Sequence, residues 1–518
     1  MGRAWVWGGA SAIFVIACVL PTALMLAGSL TGEAGRWTLD AYRGLLGDAR
    51  QWRLFTTSMS LGGGAVLVAG VLGMPVGVAL ARGVNVPGPW RAVTLAPLLI
   101  PPYVMAVAWT LAIGPTGPLA PVLAAPRLNA WAYSAWAAAL VLGISLYPLV
   151  ALAVDAALAR VDAHAEDAAR LIAPPMRVFS RITLPLIAPT VGVVLLLVFA
   201  LAITEFGVPG LLRVRVYTTE VFTAFSAFYD AARATALAAP LLAVVLAIVV
   251  VGSRAADALM LSSRRSTMAS RPQTALVRVA SRATLVGVAL VALVVPLAIL
   301  TWDAAMGSRS SVEGSGTAAL ASLLLASVSA LLVTALSAIL GHARGAVRRR
   351  GWWLDAACAW LFAVPGTVVG VGLILVWNRP GLDGIYGTPA ILIVANLARF
   401  LPLGILMVAA AGRQISPSLD EAAALAGASW FRRWRRIWLP QMRNALMAVA
   451  GLTFVFAFGE LGTAVLVTPP GLMTLPVHVY TVVANAPPGE LARLALVQAA
   501  AGLAGVVLLA RVSLGRPA

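Results

Sequence analysis

One stretch of carboxylates, small residues and arginines occurs twice in the chain. EDAARLIAPPMRVFSRITLP runs from Glu166 to Pro185, and EAAALAGASWFRRWRRIWLP runs from Glu421 to Pro440. In both copies the acidic residues come first and the arginines later, which suits the dipole of a helix. The adjacent alanines give each helix a slim surface that another protein can approach closely. Duplication at matched positions predicts two equivalent docking sites, whereas the alternative is an amphipathic helix resting on anionic lipid.

Three further charged side chains fall inside apolar segments or at their ends. Glu205 and Glu460 follow the two copies at the same spacing, and Arg399 stands within the run ARFLP. Ionisable residues within membrane spans are the default candidates for a transport pathway. We expect the glutamates to line an outer gate or to receive a cation, unless they lie at the headgroup level, satisfied by water or arginine. Arg399 is also a gate candidate, although pairing with a neighbouring helix or snorkelling explains it better.

The sequence lacks the common motifs of catalysis, nucleotide binding and metal binding. It has no HExxH or GxSxG pattern, its three histidines are far apart, and its two cysteines lie in apolar stretches. A Walker A loop requires a lysine, and all 37 basic residues of this chain are arginine. We therefore expect no catalytic residue, no metal site and no cofactor in this chain. If ATP drives its activity, ATP and Mg²⁺ must bind to a separate subunit.

The composition places these segments in a membrane. Hydrophobic residues make up 61% of the 518 residues and charged residues 11%, whereas a soluble domain has about 25% charged residues. Runs of about 20 apolar residues recur, which is the length that crosses a bilayer as a helix. The sequence thus predicts an all-α polytopic membrane protein with about twelve spans. Arginines between the spans explain the net charge of +18 better than nucleic-acid binding does.

The repeat divides the chain into two halves. Residues 1–252 form the first half, with its copy of the loop at 160–185, and residues 283–518 form the second half, with its loop at 413–440. The Ser/Arg-rich stretch 253–282 is typical of a cytoplasmic linker. With about six spans each, both halves enter the membrane from the same side and form a parallel repeat. The distribution of arginines predicts that both loops and both termini are cytoplasmic.

The duplicated stretch resembles the EAA loop of binding-protein-dependent ABC importer permeases, which has the pattern E-A-A-x-x-x-G with a later L-P. The second copy matches at Glu421, Ala422, Ala423, Gly427, Leu439 and Pro440. The first copy has Glu166, Ala168, Ala169, Leu184 and Pro185, with Asp167 at the first alanine and Ile172 at the glycine. The resemblance implies that each loop forms a coupling helix, which sits in a cleft of the ATP-binding subunit.

A chain with two such halves is similar to the fused permeases of ferric-iron, thiamine and phosphonate importers, and thus to the type I ABC importer fold. The runs that begin at Thr204 and Gly459 look most like the iron(III) group. The resemblance implies a permease of the bacterial inner membrane rather than an enzyme. It further implies two copies of an ATP-binding subunit and a periplasmic binding protein that delivers a small solute, with ferric iron the best guess. The alternative, an ion-coupled secondary transporter with two parallel halves, leaves the EAA-like loops unexplained.

Overall fold

The computed structural model describes residues 2–30, 37–40, 42–43, 48–82, 88–114, 117–123, 130–262, 275–307, 314–346, 352–483 and 485–514. Within these ranges the chain is helical, without a β-strand. The predicted all-α polytopic fold is confirmed.

The described helices comprise the candidate membrane spans and a further set, which is mostly short but includes one helix of 27 residues. Eight are long and apolar enough to cross a membrane: Val6–Ser29, Ala49–Arg82, Ala135–Leu158, Pro175–Thr204, Ala231–Arg254, Val277–Met306, Ser315–Gly345 and Ala390–Gly412. Three bent pairs raise the number to eleven if each is one span: Trp90–Leu99 with Pro102–Ile113, Leu354–Ala363 with Gly366–Trp377, and Trp430–Gln441 with Arg443–Phe458. The remaining helices are Ala120–Leu123, Ala163–Arg170, Gly207–Leu211, Tyr217–Ser226, Asp383–Tyr386, Pro417–Leu425, Ala464–Val467, Leu475–Val482 and Pro488–Leu514. The predicted number of twelve spans is not confirmed.

Two of the bends occur at prolines in matched positions of the halves. The chain turns by 88° at Pro101 and by 98° at Pro365. Both prolines are extended, with φ −54° and ψ 135° at Pro101 and φ −55° and ψ 141° at Pro365. Proline fixes φ and lacks the N–H that would continue the preceding helix, so the helix breaks there and a new one begins. The prolines thus break the helices rather than merely kinking them.

The prolines of the duplicated loop, Pro185 and Pro440, each stand in the first turn of an α-helical segment, which begins at Leu184 in the first half and at Leu439 in the second. Pro185 lies inside the continuous helix Pro175–Thr204, and a π-turn over Phe179–Thr183 precedes it. The regular α-helix begins after this turn, so Pro185 falls in its first turn, where a missing N–H breaks no hydrogen bond of that helix. In the second half the corresponding helix bends by 70° just after Leu439 and Pro440.

The predicted linker 253–282 is helical wherever it is described. The helix Ala231–Ser262 continues the last span of the first half, and the helix Ala275–Ala289 opens the second half. Residues 263–274 lie outside the described residues.

Matched contacts recur in the two halves. In the first half the Oγ of Ser58 accepts a hydrogen bond from the backbone N–H of Tyr217 at 3.2 Å. In the second half the Oγ of Ser322 accepts one from the N–H of Leu475 at 2.7 Å. Because one serine in each half ties its long helix to a short helix after the duplicated loop, the repeat extends to side-chain contacts.

Glycines allow close packing of the same helix pair in each half. A Cβ on Gly77 would lie 2.5 Å from the Cβ of Val154, and a Cβ on Gly341 would lie 2.6 Å from that of Val408. Real side chains do not approach this closely, so each glycine lets two membrane helices touch through their backbones. The largest cluster of buried apolar residues draws on both halves.

Candidate functional site

The first loop is fastened to the membrane helices through Glu166, which is 2% exposed. Arg82 Nη2 donates to Glu166 Oε1 at 2.5 Å, and Thr183 Oγ1 donates to the same oxygen at 2.5 Å. Arg170, one helical turn further on, lies 3.8 Å from the other oxygen. Glu166 therefore holds the short helix of the loop against the end of the helix Ala49–Arg82, and its carboxylate does not face solvent.

In the second loop the stabilising contacts are made by Asp420, the residue before Glu421. Asp420 Oδ2 accepts a hydrogen bond from Arg433 Nη1 at 2.8 Å, and Asp420 Oδ1 accepts one from Trp438 Nε1 at 3.4 Å. Glu421 is exposed. The two copies, for which the sequence predicts equivalence, therefore differ in which carboxylate is available to a partner. Glu421 is available, whereas its counterpart Glu166 is not.

The small residues of the loops lie largely at the surface. Asp167, Ala168 and Ala422 are exposed, and Ala169 and Ala423 are half-buried. Gly427 has φ +75°, and a Cβ there would meet no atom within 4 Å. The backbone conformation, rather than lack of space, is therefore what favours glycine at this turn. Ile172, at the matched position, does not adopt a positive φ, so the first loop turns in another way.

Both loops also expose large apolar side chains, which the sequence analysis missed. Leu171 and Ile172 are each 88% exposed, and Met176 is 77% exposed. In the second loop Leu425 is 91% and Phe431 is 59% exposed. Met176 and Phe431 occupy matched positions of the repeat. Large apolar residues within an arginine-rich segment could have indicated this surface from the sequence. Exposed apolar patches commonly mark interaction surfaces.

A central cavity of about 250 Å³ brings the three charged pathway candidates together. Its walls include Pro101, Tyr103, Glu205, Gly366, Arg399 and Glu460. The first three belong to the first half and the last three to the second half. The cavity thus lies between the halves, beside both proline breaks.

The two glutamates of the central cavity are held by backbone N–H groups. Glu205 ends its helix and accepts from the N–H of Gly207 at 3.0 Å and from that of Val208 at 2.8 Å. Glu460 accepts from the N–H of Thr463 at 2.9 Å. These bonds fix both carboxylates at the junction between a membrane helix and the following short helix. Glu205 directly follows Thr204, where the helix that leads away from the first loop ends. Glu460 lies two residues after Phe458, where the corresponding helix of the second half ends.

Arg399 pairs with Glu460 in the second-half wall of the central cavity. Arg399 Nε lies 3.6 Å from Glu460 Oε2, and Arg399 Nη1 donates to the carbonyl oxygen of Val364. This neighbouring-helix pairing is the one favoured by the sequence. Tyr103 is a cavity residue that the sequence analysis missed. It is 2% exposed, and its Oη has no hydrogen-bond partner among the described residues.

Known proteins resemble the chain in sequence. Residues 334–512 match the sequence model of a family described as "Binding-protein-dependent transport system inner membrane component". The Fe(3+)-transport system permease protein FbpB 2 of Haemophilus influenzae is 25% identical over 360 residues, covering 67% of this chain and 70% of that protein. The probable ABC transporter permease protein y4fN of Sinorhizobium fredii is 27% identical over 462 residues, covering 81% and 80%. A putative 2-aminoethylphosphonate transport system permease protein, PhnV of Salmonella typhimurium, is 28% identical over 129 residues, covering 25% of this chain and 48% of that protein.

The apolar helices and these matches together define a polytopic transport protein. The matches support a binding-protein-dependent ABC transporter permease, with the family model matching residues 334–512. The apolar helices and the permease relatives support a multi-pass inner-membrane protein, and the matching family model describes a component of a binding-protein-dependent transport system. Its relatives are transport permeases, not enzymes.

Proposed function

We propose that this chain is the fused permease of an ATP-driven importer, and that it takes up ferric iron delivered by a periplasmic binding protein. The duplicated loop is the observation that supports this most directly. Both copies lie at the same end of the membrane helices, and both expose small and apolar side chains. Two ATP-binding subunits, each with ATP and Mg²⁺, dock there. The loops and both termini are cytoplasmic, in keeping with the arginine distribution.

The second loop offers the more complete docking surface. Exposed Glu421, Leu425 and Phe431 combine one acidic side chain with two apolar ones, which fits an apolar cleft with a basic residue at its rim. The first loop presents Asp167, Leu171 and other apolar side chains but keeps its glutamate buried. The second loop thus contributes the carboxylate contact, and the first contributes mainly apolar contacts.

The central cavity is the translocation pathway, and the Arg399–Glu460 pair is its gate. Both residues of the pair belong to the second half, in the cavity wall that faces the first half, and separating the halves would expose both charges to solvent. Glu205 keeps its orientation relative to the following short helix when the pair opens, because the backbone N–H groups of Gly207 and Val208 hold its carboxylate. The lining then carries carboxylates that attract a cation.

Ferric iron is supported by the ferric permease relative and by the sequence runs that follow the loops. The relative named as a phosphonate permease suggests 2-aminoethylphosphonate as the competing substrate, against which ferric iron should be tested. The decisive measurement is uptake of labelled ferric iron and of 2-aminoethylphosphonate in a strain lacking this chain, with and without a plasmid copy. Uptake of the phosphonate alone would refute iron as the substrate.

The double variant Glu421→Lys with Gly427→Asp tests the coupling. We expect it to lose co-purification of the ATP-binding subunit and to lose uptake, while the chain still reaches the membrane. Asp383→Lys is the matched control, since Asp383 is an exposed acid on a short helix away from the loops. Unchanged uptake by the double variant would refute the proposal. Uptake that survives ATP depletion and follows a proton or sodium gradient would favour a secondary transporter instead.

A further inference from the structure

A second, larger cavity opens at the end of the membrane helices opposite the loops. It has a volume of about 440 Å³, and we call it the vestibule. Helix Pro175–Thr204 leads from the first loop to this end, where Phe206 forms part of the vestibule wall. Tyr480 lines it from the second half, so the vestibule, like the central cavity, lies where the halves meet.

Four arginines and one glutamate line the vestibule: Arg50, Arg213, Arg215, Arg233 and Glu220. The glutamate is already paired, with Arg50 Nη2 2.7 Å from Glu220 Oε2. Within the described part of the chain, no carboxylate lies within ion-pair distance of the other three guanidinium groups. The nearby Asp230 accepts from the backbone N–H of Arg233 instead. The vestibule therefore holds three uncompensated positive charges.

An aromatic cluster separates the vestibule from the central cavity. The ring centroids of Phe206 and Phe222 are 4.9 Å apart, and those of Phe206 and Tyr480 are 5.5 Å apart. Phe206 lines both cavities and follows Glu205 directly in the chain. The two cavities are thus consecutive compartments of one route, with an apolar partition between an arginine-lined chamber and a carboxylate-lined one.

We propose that the vestibule is a binding site for a small oxyanion, with the chemistry of a phosphate, phosphonate or carboxylate group. Guanidinium groups donate two parallel hydrogen bonds to such oxygens. Three uncompensated arginines at the entrance would repel a bare trivalent cation. The inference rests on the proposed transport function and refines its substrate class. The cargo enters the vestibule either as an anion or as a metal ion whose charge is masked by oxyanion ligands.

The test measures binding of radiolabelled inorganic phosphate to the full chain in phosphatidylcholine nanodiscs, without the ATP-binding subunit or binding protein. We expect saturable binding to the wild type. Arg213→Ala with Arg215→Ala should weaken it at least about tenfold, the loss of one charge-assisted hydrogen bond. Arg379→Ala is the matched control, because Arg379 is an exposed arginine at the same end but outside the vestibule. It should bind phosphate like the wild type.

Three outcomes would overturn the site. One is that the wild type binds no phosphate at millimolar concentration. This outcome would count against the site even if the same arginines were found to contact an acidic surface of the binding protein. Another is equal binding by the double variant. The third is loss of phosphate binding in phosphatidylglycerol nanodiscs that added phosphate cannot restore, which would assign the site to a lipid headgroup. Since no ATPase takes part, failure here leaves the co-purification result of the proposed function intact, and the two failures are distinguishable.

Discussion

The fastening of the first loop through Glu166 gives a quantitative prediction for Glu166→Ala. The variant removes the acceptor of two hydrogen bonds, from Arg82 and Thr183. The side chain of Glu166 is 3% exposed and that of Arg82 is 24% exposed, so solvent replaces these bonds only in part. Each bond to a charged group contributes about 1.5 kcal/mol at the lower end of the usual range, hence about 3 kcal/mol for both. The more exposed Arg170, at 3.8 Å, adds little.

A loss of about 3 kcal/mol changes an opening equilibrium by roughly 100-fold. Hydrogen–deuterium exchange of the chain in nanodiscs measures this directly, because local opening limits exchange of the helix Ala163–Arg170. We expect amides of that helix to exchange roughly 100-fold faster in Glu166→Ala. Uptake should fall as well, since the loop no longer transmits motion to the membrane helices.

Glu421→Ala is the matched comparison, at the equivalent position of the second loop. Its side chain is exposed, so the change should alter local stability by less than about 0.5 kcal/mol. Uptake should nevertheless fall, because a contact to the partner is lost. Equal responses of the two loops to the two substitutions, or a rise of less than about threefold in the exchange of Glu166→Ala, would contradict the proposed role of Glu166.

Three further substitutions follow from the packing, each read from the thermal unfolding midpoint of the chain in detergent. Arg399→Ala should destabilise by about 3 kcal/mol because it leaves Glu460, whose side chain is only 12% exposed, without its partner. Adding Glu460→Gln should restore most of the loss, and no recovery would contradict the pairing. Gly427→Ala should cost about 1–2 kcal/mol because of its positive φ, whereas Gly427→Asn should cost less. Gly77→Ala should cost about 1–3 kcal/mol by overpacking, whereas Gly63→Ala, with no atom within 4 Å of the new Cβ, should be neutral or stabilising. Equal losses of stability in Gly77→Ala and Gly63→Ala would contradict the close packing at Gly77.

The helical fold could be predicted because apolar runs long enough to cross a bilayer have few alternatives to a helix. The positions of the breaks at Pro101 and Pro365 were also visible, since proline acts locally. The number of spans was not, because three apolar runs bend by 70° or more. Whether such a run crosses the membrane once or folds back depends on tertiary packing.

The loops show more clearly where sequence reasoning ends. The pattern placed Glu166 and Glu421 at equivalent positions, but their exposure is opposite. Burial of Glu166 depends on Arg82, which lies far away in the chain and has no obvious signature. Likewise, the arginines of the vestibule are dispersed between Arg50 and Arg233, and only folding brings them to one cavity.

The unequal helices behind the two loops have a mechanical consequence. Helix Pro175–Thr204 has 30 residues and acts as an unbroken rod about 45 Å long. A tilt of about 5° at its loop end sweeps the Glu205 end through about 4 Å, by the same geometry. The matching helix of the second half bends by 70° before Arg443. A change in this bend angle can take up part of the same displacement of the loop. Equal displacements of the two loops would therefore move Glu205 further than Glu460. The first half would then contribute more than the second to opening the route between the halves.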